Sequence, residues 1–349
     1  MNSDLRIGVI GLGFGANHAR ILGEMPGVCL AAVADMDPQR LAAYADTHVH
    51  AYAGHASLIE SERLDAIVVA VPASHHAAVA LAAIEAGCAV LIEKPLAPMY
   101  EEALRIVHTA RDRGVALMPG HIERFNPALQ ELARRVQAGE IGRVLQLTAR
   151  RMSAARAGVH GSHLPPTDVN VVHDSAIHDI DAIRAVLGLE VESVFSVSQS
   201  GIVTPAEDGI SALLRFAPPG TRATAEPSRE AHLFKGGYPA TPFAGLEVNW
   251  LAPRRVRDLS VLGERGMFLL DYAAQTLTLY QRAGEQARAI PVTPLDQLEA
   301  ELSAFVSALR EEAPMPVSAR DGLAAVAVAD AITQSARTGK SVSPKPVAQ

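Results

Sequence analysis

Apolar runs and chain breakers divide this sequence into two regions with different rhythms. Up to about Met118, short apolar runs at residues 5–10, 28–34, 65–71, 90–92 and 115–118 alternate with stretches of helical length at 16–25, 41–46, 77–86 and 100–113. The runs hold almost no polar residue, as expected of strands covered on both faces. Pro72 stops the third strand, and Gly87 and Gly114 end the last two helices. Strands alternating with helices in this way predict a doubly wound parallel sheet. Beyond this region the rhythm changes. A helix at 127–137, a strand at 143–152 and a helix ending at Leu187 before Gly188 are followed by strands in series, at 193–198, 209–216, 245–251, 256–262, 266–270 and 276–280. Consecutive strands after one or two helices predict an α+β domain with a largely antiparallel open sheet and helices on one face. Helices at 295–309 and 319–335 follow, and the tail after Gly339 reads as loose. The expected division is α/β residues 1–121 and α+β residues 122–349, with the helix at about 319–338 packing back on the first domain. Residues 153–169 and 217–244 read as long loops, and loops of the latter's length are either functional or disordered.

Composition narrows the classes. The 349 residues are 49% hydrophobic, too many for a disordered chain, and the net charge of −7 argues against nucleic acid or an anionic membrane as the main partner. Cys29 and Cys88 both lie in apolar runs, which suits free thiols in a reducing cytoplasm. No apolar run approaches the roughly 18 residues of a membrane span, and Met1–Arg6 lacks a signal-peptide pattern. A soluble cytoplasmic protein is expected.

Three motifs carry chemistry. Gly11-Leu12-Gly13-Phe14-Gly15-Ala16 follows the first strand and opens a helix, the context that makes a G-x-G-x-x-G/A turn a dinucleotide site. Gly11 permits the tight turn, Gly13 lets a pyrophosphate approach the helix N-terminus, and Ala16 allows close helix–strand packing. Asp35 ends the second strand, 24 positions after Gly11, where a carboxylate accepts from both ribose hydroxyls and repels a 2′-phosphate. No arginine follows until Arg40, so NAD is expected over NADP. The second motif is Glu93-Lys94-Pro95 at the carboxyl end of a strand, where open parallel sheets bind ligands. A lysine there can donate to a reacting oxygen. In the third, Asp174, His178 and Asp181 are spaced i, i+4, i+7 and share a helix face, so a carboxylate can orient the imidazole. A solvated helix face has the same pattern. A metal reading would use His173, Asp174 and His178, with His160 and His163 nearby.

Together, Gly11-x-Gly13, Asp35, Pro72-x-x-x-His76 and Glu93-Lys94-Pro95 resemble the glucose–fructose oxidoreductase/inositol dehydrogenase/MocA (Gfo/Idh/MocA) family. The resemblance implies a Rossmann NAD domain, no metal, a catalytic Lys94, and Asp174 and His178 as an acid–base pair facing that lysine. It implies cofactor contacts from Gly11, Gly13, Phe14, Gly15, Ala16, Asp35, His76, Glu93 and Lys94. His18 lies one position earlier than the family's histidine, which implies a slightly remodelled phosphate loop or first helical turn. Residues 120–127, Arg150-Arg151, Asp168-Val169, residues 177–181 and residues 247–257 are similar to a narrower group, the UDP-N-acetylglucosamine 3-dehydrogenases. That likeness implies oxidation of a secondary ring hydroxyl, held between Lys94 and His178. Arg124, Asn126, Arg150, Arg151 and Arg255 are the candidates for holding the substrate, the arginines for its diphosphate. Both long loops exceed that group's expected length. An inositol, polyol or free-sugar dehydrogenase would use the same catalytic residues, and an NAD-bound regulator could share the fold. An open sheet face calls for a partner, so a homodimer or homotetramer is expected.

Overall fold

The computed structural model describes residues 4–154, 168–217, 241–281 and 286–347. The chain forms two compact units, Met1–Ile122 with Asp296–Val326, and Glu123–Leu295 with Ala327–Gln349.

The first unit runs β1 (Leu5–Ile10), α1 (Gly15–Glu24), β2 (Val28–Ala34), α2 (Pro38–Leu41), β3 (His50–Tyr52), α3 (His55–Ser61), β4 (Ala66–Val69), α4 (His76–Glu85), β5 (Ala89–Glu93), α5 (Tyr100–Arg113) and β6 (Leu117–Gly120). Its sheet is parallel throughout, in the order β3-β2-β1-β4-β5-β6. Ile7, Val9, Ile67, Val68, Val90, Leu91 and Ile92 have no exposed surface. Each contributes about 1.5–3 kcal/mol relative to exposure, which is why these runs carry no alternating polar positions. The strand order reverses between β1 and β4, placing the ligand crevice of such a sheet at their carboxyl ends. The helix expected at 41–46 starts earlier. Pro38 occupies its first turn and the Asp37 side chain accepts from the Gln39 N–H at 2.9 Å; a 3-10 turn, Ala42–Tyr44, continues it.

The second unit holds α6 (Pro127–Gln137), β7 (Val144–Ala154), α7 (Ile177–Leu187), β8 (Val191–Ser200), β9 (Glu207–Phe216), β10 (Phe243–Asn249), β11 (Leu251–Gly263), β12 (Gly266–Asp271), β13 (Thr276–Gln281) and the short β14 (Arg288–Ile290), which the sequence did not announce. The sheet order is β14-β13-β12-β11-β7-β10-β9-β8, antiparallel except for β10 beside β7. One face is buried through Ile210, Ala212, Leu214 and Phe216, while Phe195, Leu213 and Phe243 are exposed on the other. Between Leu251, paired with Ala154, and Val256, paired with Met152, β11 carries extra residues that bulge away from β7.

Two helices complete the chain, α8 (Gln297–Arg310) and α9 (Ala319–Thr338). α8 and the start of α9 belong to the first unit. There α9 approaches β6 closely: a Cβ added at Gly322 would lie 2.8 Å from the Pro119 ring. The tail is not loose where expected. Val342 pairs with Val194 of β8 through two backbone hydrogen bonds, 2.8 and 2.9 Å. Among the described residues, no helix is long and apolar enough to cross a membrane.

Candidate active site

The glycine turn links β1 to α1. Gly11 has φ 91°, and a Cβ there would strike Ala70 O and Val71 N at 2.6 Å, so only glycine fits. Around Gly13 the nearest neighbour of an added Cβ is Arg40 Nη1 at 3.8 Å, leaving the backbone open to an approaching phosphate. Close packing falls to Gly15, whose added Cβ would meet the Ala70 Cβ at 3.0 Å and Val9 Cγ1 at 3.2 Å. Ala16 is exposed, which corrects the packing role expected of it: α1 begins at Gly15, so that residue faces the strands. Phe14 is half exposed, edge-on to the His18 ring at 5.3 Å.

Asp35 closes the turn from below. Its Oδ2 accepts the Leu12 N–H at 2.6 Å and its Oδ1 accepts the Asp37 N–H at 2.8 Å. Burial pushes the Asp35 carboxyl up, but these N–H groups and Arg40 outweigh burial and hold it below its ordinary value. Arg40, set aside as distant in sequence, donates to Asp35 Oδ2 at 3.2 Å because the short α2 turns it back. An open backbone at Gly13, a helix N-terminus and an ionised carboxylate at the end of β2 form a cradle that suits a dinucleotide.

Glu93 and Lys94 leave the end of β5 before a cis Lys94–Pro95 bond. The Lys94 N–H donates to Glu93 Oε2 at 3.2 Å. His18 Nε2, fully buried on α1, lies 3.1 Å from Glu93 Oε1. Burial would raise the Glu93 carboxyl, but His18, Lys94 and His76 hold it below its ordinary value. His76 was expected to face the cofactor. Its buried ring is instead committed to the protein, with Nδ1 2.8 Å from Pro95 O and Nε2 2.9 Å from Val71 O, tying together the exits of β4 and β5.

In the second unit a single π turn, Val172–Ala176, precedes α7, and Gly188 closes α7 in the left-handed region at φ 63°. Such turns recur at functional sites, and the wider winding still leaves positions i and i+4 on about one face. Asp174 Oδ2 accepts from the Ser175 hydroxyl at 2.9 Å, and the Trp250 indole N–H donates to that same hydroxyl oxygen at 3.1 Å. Sequence reading missed Ser175 and Trp250 as orienting groups. The one available signal was Trp250 inside residues 247–257. The third member of the spaced set, Asp181, is engaged by another element. It takes a bidentate ion pair from Arg124 at 2.6 and 2.7 Å. His173 is likewise held by protein, with Nδ1 2.9 Å from Asn170 Oδ1 and Nε2 2.9 Å from Asp330 Oδ1. His160 and His163 lie outside the described residues.

Most of the proposed substrate-holding residues are engaged elsewhere. Asn126 is fully buried, capping α6 through the Ala128 N–H at 3.0 Å and donating to Tyr272 O at 3.1 Å. Arg150 forms a two-pronged pair with Asp258 across the β7–β11 ladder at 2.9 and 2.5 Å. Arg151 is buried against Asp179 at 2.8 Å and Glu123 at 3.0 Å, above the Tyr272 ring at 5.1 Å. Burial opposes its charge, and the two carboxylates more than restore it. Arg254 and Arg255 are exposed on the β11 bulge. Arg257, two residues further along that strand, is pushed down to about 10 by burial and by the Arg151 and Arg255 charges, which the Glu123 and Asp179 carboxylates only partly offset. No carboxylate among the described residues is hydrogen-bonded to the guanidinium of Arg254, Arg255 or Arg257. Three arginines therefore lie close together on β11, one of which, Arg255, was expected.

The sequence suspected metal ligands around His173. Among the described residues, the one group whose donor atoms approach closely enough is elsewhere: His18, Glu93 and Glu301, within 4.8 Å of one another.

Known proteins account for both regions. Residues 5–121 match the oxidoreductase family with an NAD-binding Rossmann fold, and residues 129–269 match the GFO/IDH/MocA C-terminal domain. Inositol 2-dehydrogenase 2 of Saccharopolyspora erythraea is 31% identical over 98% of this chain and 97% of its own length. Inositol 2-dehydrogenase 4 of that organism is 36% identical over a shorter match, covering 55% of this chain and 57% of the relative. Among solved structures, the UDP-N-acetylglucosamine 3-dehydrogenase GnnA of Acidithiobacillus ferrooxidans superimposes with a TM-score of 0.77 at 27% identity, over 96% of this chain and 98% of that one. With each region matched by its own profile and the dinucleotide cradle in place, the chain belongs to the GFO/IDH/MocA family of NAD-dependent oxidoreductases acting on CH–OH groups.

Proposed function

We propose that this enzyme oxidises a secondary ring hydroxyl of a nucleotide sugar, at C3 of UDP-N-acetylglucosamine or a close relative. The observation that carries the substrate class is the arginine group on β11. Arg254 and Arg255 are exposed there beside the partly buried Arg257, and a diphosphate accepts bidentate bonds from such a group of arginines. The stretches that carry the likeness to nucleotide-sugar dehydrogenases also converge: the Glu123 and Asp179 carboxylates bear on both Arg151 and Arg257. Bound NAD supplies the hydride acceptor. Gly11, Gly13, Phe14, Gly15 and Asp35 hold it, and Asp35 selects against a 2′-phosphate. Lys94 donates to the substrate oxygen and stabilises its developing negative charge. His178 receives the hydroxyl proton, and Asp174, fixed by Ser175 and Trp250, orients the imidazole. The enzyme works in the cytoplasm, its cysteines reduced, as a homo-oligomer joined through the sheet face that exposes Phe195, Leu213 and Phe243.

A second reading is a dehydrogenase of inositol or another free polyol. The relative matched along nearly its whole length favours it, as does the engagement of Arg124, Arg150 and Arg151 by acids. NAD reduction across UDP-N-acetylglucosamine, free N-acetylglucosamine and inositols separates the two. UDP should compete with substrate, and Arg257→Met should raise KM for the nucleotide sugar. Lys94→Ala should lower kcat by about 10²–10³ while NAD still binds. Turnover of an inositol without inhibition by UDP would establish the second reading instead.

A further inference from the structure

Glu301 has no part in the chemistry described so far, yet its environment is unusual. It lies on α8 of the first unit, with no exposed surface, among the buried Leu298, Leu302 and Phe305. Neither carboxyl oxygen has a hydrogen-bond partner among the described residues. One oxygen of Glu301, one of Glu93 and a ring nitrogen of His18 lie within 4.8 Å of one another. The charged and titratable groups bearing on the cluster are His18 from α1, Glu93 and Lys94 from the end of β5, and His76 from α4. Two carboxylates this close in an apolar interior do not both ionise. Glu93 has the cationic company and the Lys94 N–H as donor, whereas Glu301 has neither. The proton therefore belongs on Glu301.

We propose that Glu301 is a positioning residue for Lys94: as a neutral acid it donates a hydrogen bond to Glu93 through one bridging water and fixes the carboxylate that receives the Lys94 N–H. The chain of contact runs from α8 through the Glu93 carboxylate, whose Oε2 accepts the Lys94 backbone N–H. This rests on Lys94 acting at the substrate oxygen.

Infrared spectroscopy of the whole protein at pH 8 should show the carbonyl stretch of a neutral carboxylic acid, shifted in D2O and lost in Glu301→Gln. The glutamine keeps an N–H donor, so its kcat should stay within about threefold of wild type, a difference of well under 1 kcal/mol. Glu301→Leu removes the donor and should lower kcat by about 10–100-fold with NAD affinity unchanged. It should also displace the pH profile of Lys94 labelling by acetic anhydride, read by mass spectrometry, and glutamine should leave that profile in place. Absence of the band overturns the proposal. So does a glutamine variant as impaired as leucine, an unmoved labelling profile, or a stoichiometric divalent cation released by Glu301→Gln. If leucine fails to fold, the band and the glutamine variant still decide. The band and the labelling need no substrate, so a wild type without turnover would sink the functional reading while leaving this one to its own measurements.

Discussion

The two units bury charge in opposite ways. In the second, the single guanidinium of Arg151 is sunk between Asp179 and Glu123, and the Arg257 charge bears on the same two carboxylates. In the first, His18, Glu93 and Glu301 have too few cations, and burial with the nearby Glu93 charge pushes the Glu301 carboxyl well above its ordinary value. The first arrangement neutralises with a proton and the second with a counter-ion. A proton can move with pH, while an arginine does not lose its charge in the working range. The second unit's cluster is thus a rigid frame for the strand β7 and the helix α7, and the first unit's cluster is adjustable.

The sharpest way to break this contrast is to remove one partner from the rigid cluster. Arg151→Met leaves Asp179 and Glu123 buried without their cation and should cost about 3–5 kcal/mol of stability by urea unfolding. A loss under 1 kcal/mol would mean water already reaches the pair, and the contrast would fail. Next in size is Asp35, an intermediate case whose partner Arg40 is half exposed. Asp35→Ala frees Arg40 and should shift preference toward NADP by about tenfold, the weight of one charged hydrogen bond; the ratio of kcat/KM values for the two cofactors measures it. A wild type that already prefers NADP would show that Arg40 governs the site. The smallest effect sharpens the adjustable side. Because the Glu301 carboxyl is raised in the folded state, its contribution to stability is fully present below the unfolded value of about 4.3 and declines as pH rises through the folded value. Glu301→Gln does not ionise in either state, so its stability relative to wild type should improve as pH rises above that point. A difference that stays constant from pH 4 to 8 would show that Glu301 titrates alike in both states.

Local chemistry made the first unit readable. An apolar run, a glycine that alone tolerates its turn and an acid at the next strand end are all neighbours in sequence. The α5 boundaries, Tyr100 to Arg113, and the α6 boundaries, Pro127 to Gln137, also follow from local caps and stops. Long-range pairing was not readable. Nothing near Glu301 in the chain distinguishes it from an ordinary polar residue of an amphipathic helix, because its companions come from α1 and β5. Arg150 and Arg151 are adjacent in sequence, but strand alternation sends one to Asp258 and the other into the core. Choosing between them requires the register of β7 against β11. The π turn before α7 spans five residues, too few for a period of 4.4 to separate from 3.6. Ala16 and Gly15 exchange roles because α1 starts at Gly15, and one small residue after another carries no signal of where a helix begins.

The pairing of Val342 with Val194 has a consequence for handling this protein. β8 is the last strand of its sheet, and an uncapped outer strand offers its amides to any extended chain that passes. The tail occupies part of that edge with its own backbone, acting as a built-in guard against strand-to-strand clumping. Shortening the chain to Gly339 would strip the guard from a region whose neighbouring face already exposes Phe195 and Val197. An affinity tag is therefore better placed at the amino end, and a trimmed version should precipitate at lower concentration than the full chain.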